Sequence, residues 1–94
     1  MRVELKAAIV VNKKDNVATA IRELIKGSTV IVEIGDIVYE VVLENDVMFL
    51  HKFALCNINK GSKVIKYGQA IGEAIRGIRK GEHVHIHNIC SLRG

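Results

Sequence analysis

The sequence predicts a mainly β domain, and three observations carry that reading. Hydrophobic residues make up 49% of the 94-residue chain, but aromatics only 4%, so Ile and Val supply the apolar bulk. Such β-branched side chains favour strands. Short apolar runs recur along the chain between Gly, Asn, Asp and Lys, with no proline anywhere. Finally, one corner-like pattern repeats. One domain is expected at this length, with a thin core, because such a chain buries only roughly 60–65% of its unfolded surface. That suits a module working against something larger better than an enzyme with a deep, walled site.

The repeat reads Ala, aliphatic, two variable positions, aliphatic, one variable position, Lys-Gly, two more, then Val. It spans Ala20 to Val30, Ala54 to Val64 and Ala74 to Val84. Each copy predicts a strand that ends at the first aliphatic and a single helical turn that returns the second aliphatic to the core. Lys-Gly closes the corner, with Gly taking positive φ. The copies are unequally spaced, which excludes a solenoid and makes them corners of one folded-over β structure.

In chain order the predicted strands are Ala7–Val11, Val30–Ile34, Ile37–Leu43, Lys52–Leu55, Val64–Tyr67, Ile71–Ile75 and His83–Ile89. Gly35-Asp36 separates two apolar runs as a hairpin turn, and its order suits type II′. Asn16–Ile25 reads two ways. Asp15 can cap a helix over Val17, Ile21, Leu24 and Ile25, but the repeat favours a strand running into a corner.

Charge is uneven beneath a net +4. Gly27 to Leu50 holds Glu33, Asp36, Glu40, Glu44 and Asp46 with no Lys or Arg. His51 to Gly81 holds Lys52, Lys60, Lys63, Lys66, Arg76, Arg79 and Lys80 against Glu73 alone. A basic half draws anions, and the choices are an ordinary solvated surface or a small anionic substrate. Nucleic acid is not expected, for want of stacking aromatics or a basic helix. No apolar run approaches the roughly 20 residues of a membrane span and no signal peptide opens the chain, so no membrane partner and a cytoplasmic location are expected. Cys56 and Cys90 lack metal or disulfide-framework spacing and read as small buried or half-buried thiols.

His83-Val84-His85-Ile86-His87-Asn88 is the segment richest in chemistry. In a strand the three histidines would share one face while Val84 and Ile86 enter the core. Such imidazoles can ligate a transition metal or exchange a proton with a substrate, or form a plain polar face. His51-Lys52, Lys66-Tyr67-Gly68 and Asp15-Asn16 are weaker polar clusters. No phosphate loop, nucleophile elbow or paired-carboxylate arrangement is present.

Asp15-Asn16-Val17-Ala18, His51-Lys52-Phe53-Ala54-Leu55, Val64-Ile65-Lys66-Tyr67-Gly68, Ile71-Gly72 and Gly81-Glu82-His83-Val84-His85-Ile86-His87-Asn88 together resemble the N-terminal SAF domain of altronate dehydratases. That domain is also found in galactarate dehydratases and as the small subunit of sulfolactate sulfo-lyase. The resemblance implies a β-clip fold and a part in a metal-dependent hydro-lyase that turns an aldonate into a 2-keto-3-deoxy acid. It implies a divalent metal, iron or manganese, held mainly by a partner chain. Because the chain stops soon after the histidines, a separate large dehydratase subunit is expected, and a homo-oligomer stays open. By the family motif H-x-H-N, His85 and His87 are the expected catalytic and metal-holding residues, with His83 more dispensable. The expected contacts to a small anionic sugar acid are His51, Lys52, Lys66, Asn88, Asp15 and Asn16. Leu50 stands where the family usually has Gly, and Cys56-Asn57 replaces a polar-acidic pair. A non-catalytic carbohydrate-binding module, the small subunit of a sulfolactate sulfo-lyase and an orphan metal-binding protein are the competing readings.

Overall fold

The computed structural model describes residues 2–92, and these form ten strands with no helix among the described residues. The strands are β1 (Val3–Leu5), β2 (Ala8–Ile9), β3 (Val17–Ala20), β4 (Thr29–Ile34), β5 (Ile37–Val42), β6 (Lys52–Ala54), β7 (Lys63–Lys66), β8 (Gln69–Ala74), β9 (His83–Val84) and β10 (Ile89–Ser91). A central sheet of order β2-β3-β6-β9 is antiparallel throughout. The hairpin β4-β5, with β1 parallel on its edge, forms a second sheet, and β7-β8 with β10 forms a third.

Side-chain alternation explains why these hairpins take opposite faces of the central sheet. Ala18, Ala20, Phe53 and Leu55 point one way and pack with Val30, Val32, Val41 and Leu43 of the first hairpin region. Val17, Ala54 and Val84 point the other way, onto Val64 and Ala74 of the second. The short β3 is consequently buried at all four positions. A strand covered on both faces must be apolar without alternation, as Val17–Ala20 nearly is.

The corners are built by hydrogen bonds rather than by helical turns, which corrects the sequence expectation. In each corner a tight turn joins the sixth position of the repeat to the ninth: Ser28 N donates to Ile25 O and Ser62 N to Asn59 O. Corners then pair reciprocally through isolated bridges, Leu24 with Val47 and Ile58 with Ile78. Val47 and Leu50 reveal a fourth corner, Leu43 to Phe53, that the repeat pattern had hidden. Its turn, from Met48 O to His51 N, matches the others, and Leu50 N donates to Ala20 O just as Gly27 N donates to Leu43 O. Leu50 holds the position that is Gly in the other three corners and adopts φ 70°. For a bulky side chain that conformation costs roughly 1–2 kcal/mol.

Several strands end sooner than expected, because Leu43, Leu55 and Ile75 already belong to corners and Tyr67 to a turn. Asn16–Ile25 resolves as β3 running into a corner. β1 was not foreseen. Its three residues place Glu4 inward, and that carboxylate pairs with Arg22 and Arg2 at 2.8 and 2.6 Å. Cys56 and Cys90 are both free and exposed, in a bend and on an edge strand, not buried.

The largest correction concerns His83–Ile89. The strand stops at Val84, residues 85–88 form a turn, and pairing resumes at Ile89. Asn88 causes the break. Fully buried, its Oδ1 accepts from His85 N at 2.9 Å and its Nδ2 donates to His83 O at 2.8 Å. The side chain thus takes the backbone groups a longer strand would have paired. Ile86, expected in the core, is 80% exposed at the tip.

Candidate metal centre

Register brings the histidines together. Phe53 of β6 pairs with His83 of β9, so His51, two residues back on the same face, lies diagonally beside His83. His51 Nδ1 and His83 Nε2 are 2.9 Å apart, within hydrogen-bonding distance, with the tautomers deciding which ring donates. The Asn88-held turn then folds His85 over both, with ring centroids 4.6 Å from His51 and 5.6 Å from His83. One nitrogen from each of His51, His83 and His85 falls within 4.8 Å of the others. His87, named with His85 from the sequence, adjoins this trio through His83, 5.2 Å between centroids.

The donor set fits a divalent metal that accepts imidazole, such as zinc or iron. Metal–nitrogen bonds of about 2.0–2.1 Å require the three atoms to converge somewhat further, through rotation of half-buried rings. Their protonation favours it. Burial, then the neighbouring His87, His51 and His85 and the Lys52 ammonium, push His83 down to about 4. Burial and the same surroundings also lower His85. Both rings therefore present free lone pairs at neutral pH. Glu82 does not join them: Oε1 accepts from Arg79 N at 3.0 Å, and Oε2 lies 3.6 Å from Arg76. Oxygen ligands of the kind manganese prefers would come from outside this set.

A test follows from His83. An unfolded histidine takes a proton near 6.5, whereas folded His83 resists it until about 4. The stability this residue contributes is thus complete above 6.5 and is lost as pH falls toward 4. In chelator, the Tm of the native chain should drop more steeply between pH 7 and 4 than that of His83→Gln. Equal slopes would place the acid sensitivity elsewhere.

Beside the trio stands Lys52, with Lys66 next to it. Lys52 is half-buried, and burial together with the Lys66 ammonium holds it below its ordinary value. Neither lysine pairs with a carboxylate among the described residues, and Lys66 lies 4.9 Å over the Tyr67 ring. Cross-strand from Lys52, the buried Thr19 Oγ1 has no hydrogen-bond partner. On the other flank, Glu44, Asn45, Arg76, Arg79, His83 and His87 line an open cleft of about 500 Å³.

Asp15 and Asn16 prove to be braces. Asp15, 4% exposed, accepts from Gly68 N at 2.7 Å and Asn12 N at 3.1 Å. Asn16 donates to Lys63 O and accepts from Ile65 N. Together they hold the Tyr67-Gly68 turn, where both residues have positive φ, and with it Lys66. Asn88 likewise acts on the site through the backbone of His83 and His85. So the structure gathers His51, His83, His85, His87, Lys52 and Lys66 at one edge, and leaves Asp15, Asn16 and Asn88 to position them.

Fold and site define a small all-β domain presenting a nitrogen-rich, metal-competent cluster on an open edge. By sequence the chain belongs to the altronate/galactarate dehydratase SAF domain family, whose profile matches residues 6–92. It is 46% identical over 80 residues to the altronate dehydratase of Escherichia coli (strain K12), covering 85% of this chain but 15% of that protein. It is 37% identical over 84 residues to the altronate dehydratase of Bacillus subtilis (strain 168), covering 89% of this chain and 16% of the relative. Against the (2R)-sulfolactate sulfo-lyase subunit alpha of Paracoccus pantotrophus it is 36% identical over 55 residues, 58% of this chain and 82% of that subunit. The chain therefore spans about a sixth of the altronate dehydratases it matches. Among the described residues no helix is long and apolar enough to cross a membrane.

Proposed function

We propose that this domain is the small component of a hydro-lyase that dehydrates an aldonate to a 2-keto-3-deoxy acid together with a large catalytic chain. One observation carries the reading: three convergent imidazoles stand beside half-buried Lys52 and its neighbour Lys66, which no carboxylate among the described residues neutralises. His51, His83 and His85 would hold a divalent metal, iron or manganese, with the remaining ligands from substrate or the large chain. When bound, such an ion supplies Lewis acidity toward a substrate oxygen. Lys52 and Lys66 bind the acid's carboxylate and aim its reacting carbons at the histidine edge. His87, exposed at the cleft, exchanges protons with the substrate. A base takes the α-proton and a proton is returned to the β-hydroxyl, which leaves as water, and the enol left behind tautomerises to the keto acid.

A second reading, lyase action on a sulfonated hydroxy acid, is favoured by the 82% coverage of the sulfo-lyase subunit alpha. Both predict the same cation pair, since sulfonate and carboxylate are both anions. The test mixes this chain with a large chain similar to the rest of altronate dehydratase. Keto-acid formation from altronate or galactarate is expected only when both are present. Sulfite release from sulfolactate instead would select the second reading, and no product from any of the three would overturn both.

A further inference from the structure

The four corners form an internal comparison. Their turn tips read Ile25-Lys26-Gly27, Asn59-Lys60-Gly61 and Arg79-Lys80-Gly81, but the second reads Met48-Phe49-Leu50. Met48 and Phe49 are 59% exposed and Leu50 58%, though the turn's backbone hydrogen bonds match those of its neighbours. The fold does not need these side chains. At Leu50 it bears left-handed strain to display one. Exposed Ile21 and Ile25 lie alongside, on the corner joined to this one through the Leu24–Val47 bridge. The equivalent pair around Ile58–Ile78 carries Asn59, Lys60, Arg79 and Lys80 at its tips, and Ile75 is its one exposed counterpart of Ile21 and Ile25. A contiguous apolar patch on one of two matched corner pairs marks an interaction surface.

We infer that the Met48-Phe49-Leu50 tip, with Ile21 and Ile25, is where the larger lyase chain docks. The inference rests on the two-chain reading above. Two facts choose this occupant. In the altronate dehydratases most of the protein lies outside the matched stretch, and the sulfo-lyase relative is by name one subunit of an enzyme. The tip also runs directly into the site, since the turn closes with His51 N donating to Met48 O. A chain seated on it covers the open edge of the histidine trio and supplies the walls this domain lacks.

The experiment measures association of the full chain with the large chain similar to the rest of altronate dehydratase, by calorimetry and light scattering. Leu50→Gly relieves the strain and should raise Tm by about 4 °C, yet weaken association. Met48→Ser, Phe49→Ser and Leu50→Gly combined should weaken it at least about 30-fold with the domain still folded. His83→Ala should bind the large chain as the native protein does while yielding no lyase activity. Native affinity in the triple variant overturns the inference, as does failure of the native chain to bind. So does a triple variant that loses only self-association, which would assign the patch to a second copy. Tight, patch-dependent binding without lyase activity supports the docking surface and removes the proposed function.

Discussion

His83→Ala is expected to weaken divalent-metal binding by at least about 100-fold while leaving the Tm of the metal-free domain within a few degrees of native. Second-sphere partners alone commonly change metal affinity by about 10–100-fold, and His83 is placed as a direct ligand. Its ring touches His51, His85 and His87, so it is the hub of the cluster. Its fold-supporting contacts are made by backbone: His83 N donates to Asn45 Oδ1, and its carbonyl accepts from Asn88. Alanine keeps both. Titration of the metal-free protein with zinc or cobalt, set against His87→Ala, decides between two arrangements. If His87→Ala abolishes binding and His83→Ala does not, the ion sits on the H-x-H pair the family motif suggests, and the trio is wrong.

Gly81→Ala should destabilise the domain by about 4 kcal/mol, against a total of roughly 5–15 kcal/mol for such domains. Gly81 has φ 89° and is buried, and a Cβ there would fall onto the carbonyl oxygen of Val42. Left-handed strain accounts for about 1–2 kcal/mol and the clash with fixed backbone for about 1–3 more. Relaxing that clash would break the contact in which Glu44 N donates to Gly81 O, and would move the strand carrying His83. Gly61→Ala is the internal control: φ is 88° but nothing lies within 4 Å of its added Cβ, so only strain remains. Urea denaturation should rank Gly81→Ala well below Gly61→Ala. Equal midpoints would mean that the corner gives way freely.

Much of this was legible beforehand. β-Branched content and the Lys-Gly corners pointed to a mainly β, folded-over domain, because turn chemistry is local and positive φ selects glycine. The same rule concealed the fourth corner, where Phe49-Leu50 replaces Lys-Gly and the strain is borne rather than avoided. The polar motifs were visible, but not their division of labour. Asp15 and Asn16 are some fifty positions from the backbone they brace, a separation that no local pattern encodes.

The histidines mark the boundary between what composition and spacing establish and what folding adds. Residue order alone established three imidazoles close together and a basic half of the chain. It read them as one face of a strand, and the resemblance to the family's H-x-H-N motif implied His85 and His87 as the working pair. Membership of the trio was settled elsewhere, by the β6–β9 register that sets His51 beside His83 and by buried Asn88, which turns the chain and folds His85 onto them. Both are long-range or burial-dependent effects. A side chain competes successfully for strand hydrogen bonds only where the surrounding core excludes water, and that core exists only once both hairpins have closed over the central sheet.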